Sequence, residues 1–179
     1  MLPILLALAF IAILFIVVIT GQPDEFKVVR STKISAPTEK IFPHVNDLHK
    51  WEAWSPWAKL DPNAISSFDG AAAGVGAAMS WDGNKKIGAG EMTITESRPN
   101  DLIRIRLEFI RPFQATNMAE FTFKPDGNQT LMTWSMTGQN NFFFKAFGLF
   151  MNCDTMVGGD FEKGLAAMKS VAELTEPAR

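Results

Sequence analysis

The sequence predicts an α+β fold: a curved antiparallel sheet wrapped on a long C-terminal helix and preceded by one N-terminal transmembrane helix. Three observations carry this prediction. The chain begins with an unbroken apolar run, several later segments alternate apolar and polar residues, and the last segment has apolar residues at helical spacing. Alternation with a period of two is typical of strands in a sheet with one wet face, whereas a spacing of three to four is typical of an amphipathic helix.

The N-terminal segment, residues 1–23, is predicted to be a membrane anchor. It carries no charged side chain, and Leu2 to Ile19 is entirely apolar. About 20 helical residues span a hydrocarbon core, so the run is just long enough to cross a bilayer. The alternative is a cleaved signal peptide, but no Lys or Arg precedes the run and "VVITGQ" is a poor cleavage site. We therefore expect a single-pass membrane protein that contacts the lipid bilayer through Leu2 to Ile19.

Residues 24–179 are predicted to form one domain, long enough to bury a core. The net charge of −2 provides no basic field, which argues against nucleic-acid binding. The single cysteine, Cys153, excludes an internal disulfide framework. Basic residues such as Lys27 and Arg30 follow the anchor and favour a cytoplasmic domain under the positive-inside rule. This bias is small, so the sequence leaves the side of the membrane open.

The domain is predicted to open with a strand from Phe26 to Ile34, which is rich in β-branched residues. A short helix follows Pro37, and a second one is expected from about Asp47 to Ala53, before Ser55-Pro56. Strands and tight turns then follow Asp61-Pro62.

The strand signals are clearest in the second half of the chain. Turn residues at Asp82-Gly83, Pro99-Asn100 and Gly127 separate alternating segments. In "DLIRIRLEF", the apolar residues Ile103, Ile105, Leu107 and Phe109 face one way, and Arg104, Arg106 and Glu108 face the other. An antiparallel sheet with one covered face is therefore expected.

The C-terminal segment is predicted to be the helix that covers the apolar face. Its stripe consists of Val157, Phe161, Leu165, Met168, Val171 and Ala172. Glycines 158, 159 and 164 weaken a helix, so we expect them to allow close approach to the sheet or to leave room for something held beneath the helix.

The opening of the domain resembles that of START-like proteins of the polyketide cyclase/dehydrase-like type, in the SRPBCC superfamily. The residues that carry the resemblance are Ile34, Ala36, Pro37, Ile41, Phe42, Val45, Asp47, Trp51, Trp54, Ser55, Pro56 and Trp57. Later segments also fit, so the resemblance covers about residues 26–175. It implies a helix-grip fold. It implies less about function, because the superfamily includes lipid carriers, hormone receptors and aromatase/cyclases.

Two aromatic clusters allow several interpretations. Trp51, Trp54 and Trp57 lie within seven residues, and we expect them mainly to plug one end of the sheet. The alternatives are the mouth of a ligand cavity and the bilayer interface. The segment of residues 140–152, "NNFFFKAFGLFMN", is too apolar for a simple loop. It is expected to be a short helix packed on the domain, a gate over the cavity or a second membrane contact.

The sequence favours a membrane-tethered binding module for a hydrophobic small molecule or lipid, held between the sheet and the C-terminal helix. The alternatives are a cyclase, dehydratase or hydrolase acting in the same cavity, and an envelope scaffold or stress-response protein without a ligand. The predicted pocket residues are Trp54, Trp57, Met79, Trp81, Met92, Ile94, Ile105, Leu107, Phe109, Phe121, Trp134, Met136, Phe161, Leu165 and Met168.

No catalytic residue, metal site or cofactor is predicted. His44 and His49 are five residues apart, which is not the spacing of two ligands on one helix face. No recognisable base accompanies Cys153 in the sequence.

Overall fold

The computed structural model describes residues 1–150 and 153–174, with no description of the Cys153 side chain. The last residues of the predicted phenylalanine segment and of the domain therefore lie outside the described residues. The helices are α1 Leu2–Thr20, α2 Thr38–Asn46, a 3-10 helix Leu48–Ala53, α3 Phe142–Gly148 and α4 Cys153–Leu174. The strands are β1 Glu25–Ile34, β2 Ile65–Gly70, β3 Ala77–Asp82, β4 Ala89–Arg98, β5 Leu102–Arg111, β6 Ala115–Asp126 and β7 Gln129–Gln139.

The predicted curved antiparallel sheet is confirmed. Its seven strands run in the order β1-β7-β6-β5-β4-β3-β2, so the first strand of the domain pairs with the last. The Asp82-Gly83 hairpin signal joins β3 to β4, although the connection covers residues 83–88. The sequence did not predict β2, the edge strand at the far side of the sheet, because all six of its residues are exposed and show no apolar alternation.

The long helix covers the apolar face of the sheet, as predicted. α4 packs against β1, β7 and the two short helices. Four members of the predicted stripe are buried, namely Phe161, Leu165, Met168 and Ala172, and Val157 and Val171 pack partly buried against the same core. The core therefore lies between α4 and the sheet.

The two short helices close one end of this core. Indole N–H groups of Trp51 and Trp54 donate to the carbonyl oxygens of Val45 and His44, each at 3.0 Å. Both tryptophans are buried, and their ring centroids lie 4.7 Å apart. These bonds fix the large apolar rings of Trp51 and Trp54 at this end of the sheet, as the predicted plug requires.

Helix α1 lies outside the core. Ile19 is its one buried residue, and the remainder of its apolar surface is exposed. By length and composition, α1 could cross a membrane. It lies in contact with α3.

Candidate apolar ligand site

Trp134 is the centre of an aromatic cluster on the concave face of the sheet. It projects from β7 and stacks on Phe161 of α4, with ring centroids 4.0 Å apart and planes 7° from parallel. Phe121 of β6 lies at 4.9 Å, and the rings of Trp54 and Trp57 each lie at 5.6 Å. The middle of the site is thus filled by aromatic side chains from the sheet, the helix and the plug.

One polar atom in this cluster has no partner among the described residues. The Nε1 of Trp134 is buried and makes no hydrogen bond with any part of the chain that the structure describes. The indoles of Trp51, Trp54 and Trp81 each donate to a backbone carbonyl instead. A buried donor without an acceptor costs about 1–3 kcal/mol, so Trp134 offers a position where a bound acceptor would be stabilised.

The apolar face extends beyond the buried core towards β3 and the C-terminal end of β5. Ile94 and Ile105 are 1% and 0% exposed, whereas Met79, Trp81 and Leu107 on the same face are only partly buried. Register places Met79 opposite Met92, and Met92 opposite Leu107, so they form a continuous row across three strands. We call the partly buried residues of this region the open end of the site; they are Met79, Trp81, Leu107 and Phe109.

Gly90 allows Trp81 to lie over β4 at the open end. A Cβ at Gly90 would be 2.6 Å from the Trp81 ring, so no larger residue fits without a shift. The Trp81 indole donates to the carbonyl of Ile87 at 3.1 Å, and its ring meets Phe109 edge-on at 5.9 Å. These contacts fix the position of the Trp81 ring at the open end.

Two polar side chains also face the interior. The first is Asn117, which is 8% exposed; its Nδ2 lies 3.9 Å from Met136 Sδ, a weak acceptor.

The second is Arg30, which lies opposite Trp134 in the pairing of β1 with β7; its guanidinium binds Asp154 and Glu162 of α4. The hydrogen bond to Asp154, followed in size by the bond to Glu162, raises the pKa of Arg30 above its usual range. The bond between Arg30 and Asp154 also lowers the pKa of Asp154.

The predicted pocket residues fall into two groups by burial. The buried ones are Trp54, Met92, Ile94, Ile105, Phe121, Trp134, Met136, Phe161, Leu165 and Met168. The partly buried ones are Trp57, Met79, Trp81, Leu107 and Phe109. The prediction missed Arg30 and Asn117, although each occupies an inward position in the alternation of its strand.

His44 and His49 lie at a separate place. They share a surface depression of about 420 Å³ whose lining also includes Lys50, Glu52 and Ala53. Burial, followed by the charge of Lys50, lowers the pKa of His44 below its ordinary value of 6.5. His49 bonds to Asp47 and stacks on Phe68 at 4.0 Å. Neither histidine is part of the aromatic cluster.

Comparisons with known proteins agree with this architecture. The family model described as polyketide cyclase / dehydrase and lipid transport matches residues 25–173. Protein MLL2253 from Mesorhizobium loti has a TM-score of 0.60 at 19% identity, with 85% of this chain and 100% of that chain covered. Protein CV1439 from Chromobacterium violaceum has a TM-score of 0.58 at 16% identity, covering 88% and 100%. Ara h 8.0201 has a TM-score of 0.59 at 10% identity, covering 84% and 99%.

A search of curated proteins gave no match. At these identities the solved structures establish the fold alone, and they confirm the predicted helix-grip architecture.

Proposed function

The chain belongs to the polyketide cyclase / dehydrase and lipid transport family, and we propose that it is a membrane-tethered binding module for a hydrophobic small molecule or lipid. The ligand would lie between the sheet and α4, with its apolar part at the open end and an acceptor atom near Trp134. α1 would be the tether, since it is long and apolar enough to cross a membrane and stays outside the core.

The observation that carries this proposal is the extension of the apolar face beyond the buried core. Met79, Trp81, Leu107 and Phe109 remain partly exposed beside residues that are fully buried. A concave, mostly apolar surface with a few polar groups is the usual form of a small-molecule site. The Nε1 of Trp134, which has no partner among the described residues, adds one such polar group inside it.

We propose binding rather than catalysis because of where the charged and titratable side chains lie. A general acid or base needs a titratable group that faces the substrate with a suitably shifted pKa. Arg30 faces the interior, but its guanidinium is held by Asp154 and Glu162. His44 has a pKa lowered by burial, yet it lines the outer depression with His49.

The proposal is tested by purifying a variant that consists of residues 24–179 and identifying apolar compounds that remain bound, by extraction and mass spectrometry. We expect a reproducible apolar compound at a fixed ratio to protein. Leu107→Ser should lower that ratio several-fold, since Leu107 lies at the open end. Ile110→Ser is the matched control, because Ile110 is on the same strand and is 56% exposed.

Circular dichroism of all three proteins verifies that they are folded. A folded domain that repeatedly carries no apolar compound would refute the binding proposal. Equal losses in Leu107→Ser and Ile110→Ser would show that the compound is not held at the open end.

A further inference from the structure

Five exposed phenylalanines on and around α3, a helix that contacts α1, form an apolar surface. We name it the phenylalanine surface; its members are Phe113, Phe142, Phe143, Phe147 and Phe150, which are 44% to 78% exposed. Phe113, in the turn between β5 and β6, lies 5.1 Å from Phe143, and Phe143 stacks with Phe147 at 6.4 Å. None of the residues of α3 is buried, so this helix does not pack as a core element.

The outward side of α3 has no free charge among its described residues. Lys145 is the one charged residue between Phe142 and Gly148, and its side chain is only 10% exposed. It forms an ion pair with Asp24. An exposed apolar surface of this kind, without charges inside it, is typical of a contact with protein or lipid.

Hydrogen bonds join α3 to the end of the anchor. The backbone N–H of Asn140 donates to the carbonyl of Asp24 at 2.7 Å, and the Asn140 side chain donates to the carbonyl of Pro23 at 3.2 Å. Together with the pair between Lys145 and Asp24, these bonds fix the start of α3 close to residues 23 and 24. α1 ends at Thr20, only three residues before Pro23.

This connection sets the depth of α3 in the membrane. If α1 spans the bilayer, the chain leaves the hydrocarbon region near Thr20, and residues 23 and 24 lie at headgroup level. α3 is bonded to these residues and must lie at the same level. A short apolar helix at that depth would bury its outward side chains at the boundary between headgroups and acyl chains.

We propose that the phenylalanine surface is a second membrane contact that holds the domain against the lipid bilayer. This inference rests on the membrane tether of the proposed function. It gives the domain a fixed orientation, in which the turn that carries Phe113 faces the lipid. That turn directly follows the segment of β5 that supplies Leu107 and Phe109, so the open end of the site lies close to the membrane.

The test uses the full chain in phosphatidylcholine vesicles, with a fluorescent NBD label on a single cysteine. The background substitution Cys153→Ser removes the native thiol, and F147C places the label on the phenylalanine surface. V75C is the matched control, because Val75 is also an exposed apolar residue (59%) but lies in the turn between β2 and β3, at the end of the sheet opposite to Arg111 and the Phe113 turn. Quenching is measured with a phospholipid that carries a nitroxide near the headgroup and with iodide in the water.

We expect the F147C label to be quenched several-fold more by the lipid nitroxide than the V75C label, and less by iodide. Iodide quenching of both labels, in protein that floats with the vesicles, would leave the tether intact and overturn the second contact. Protection of the F147C label from both quenchers would also overturn it, because a second copy or another protein would then cover the surface. Protein that does not float with the vesicles would refute the tether and the inference together.

Discussion

Arg30 of β1 reaches the first turn of α4, where its Nη2 lies 2.9 Å from Oδ2 of Asp154. Its Nε lies 2.8 Å from Oε1 of Glu162, about two turns further along the helix. Gly158 lies between these two carboxylates in the sequence, and a Cβ there would be 2.0 Å from the guanidinium. One side chain therefore joins the sheet to the N-terminal half of the helix, and a glycine makes space for it.

Replacing Arg30 by Met should lower the melting temperature of the domain. The substitution keeps the apolar stem but removes hydrogen bonds to Asp154 and Glu162, so the start of α4 loses its polar attachment to β1. Lys33→Met is the matched control on the same strand, since the pair between Lys33 and Asp126 is 60% and 51% exposed. A pair in which both side chains are this exposed contributes little, whereas Arg30 is only 23% exposed and binds two carboxylates. Equal melting temperatures in the two variants, measured by circular dichroism, would contradict the attachment.

The effect of Arg30→Met should depend on pH. The hydrogen bond from Arg30 lowers the pKa of Asp154 below its ordinary value of 3.8. An acid whose pKa is lower in the folded state contributes stability above its unfolded pKa and loses it as the pH falls through the folded pKa. The difference in melting temperature between the wild type and Arg30→Met should thus be constant above about pH 5 and shrink in stronger acid.

Thermal melts of both proteins between neutral and strongly acidic pH measure this difference. Asp154→Asn provides the control, because its amide has no carboxyl to titrate. The gap between Asp154→Asn and Arg30→Met should therefore vary less with pH. A gap between the wild type and Arg30→Met that stays constant down to the lowest pH would contradict the role of Asp154.

Much of the fold could be predicted from the sequence because most elements bury one face. The alternation in β5 and the apolar stripe of α4 indicate both the element type and the side that is covered. β2 could not be predicted in this way, since the six residues from Ile65 to Gly70 are all exposed. Its pairing with β3 is made through backbone groups, which leave no pattern in the side chains.

The candidate site was predictable only as an apolar face. Alternation places Leu107 and Phe109 on the same side as Ile105, but it does not tell how far α4 extends over them. Arg30 also occupies an inward position, and its partners are more than 120 residues away in the sequence. Whether an inward polar residue is paired or free depends on such tertiary contacts, which local periodicity does not encode.

Alanine substitutions at Gly159 and Gly164 of α4 should change the free energy of unfolding in opposite directions. Gly159 has nothing within 4 Å of an added Cβ, so Gly159→Ala should stabilise the domain by about 1 kcal/mol, the helix propensity difference. At Gly164 a Cβ would lie 2.8 Å from the Trp134 ring and 3.0 Å from Pro56. Gly164→Ala should therefore lose about 1–3 kcal/mol through overpacking, despite the same gain in propensity.

Urea unfolding of the two variants measures both changes, and the two glycines serve as controls for each other within one helix. Stabilisation by Gly164→Ala would mean that α4 can move away from Trp134 without loss. The helix would then be packed less tightly over the aromatic cluster than the contacts of Gly164 indicate.

Phenylalanine substitutions at Trp54 and Trp134 compare an indole N–H that has a hydrogen-bond acceptor with one that has none among the described residues. Both rings are buried and become smaller in the same way, so the two variants share the cost of the lost ring area. Trp54→Phe also removes a 3.0 Å hydrogen bond and leaves the carbonyl of His44 without this donor. Trp134→Phe removes a donor that has no acceptor among the described residues. We expect Trp54→Phe to lose about 1 kcal/mol or more beyond Trp134→Phe in urea unfolding.

The same pair of variants tests the polar end of the ligand site. If the acceptor of a bound compound lies at Nε1 of Trp134, Trp134→Phe should lower the amount of compound that co-purifies with residues 24–179 several-fold, while the ligand-free domain loses less stability than in Trp54→Phe. Trp54→Phe should show the reverse, a less stable domain that retains the compound, because its indole N–H is already bonded to His44. Equal retention by Trp134→Phe and the wild type would mean that the ligand is held by apolar contacts at the open end and not through this donor.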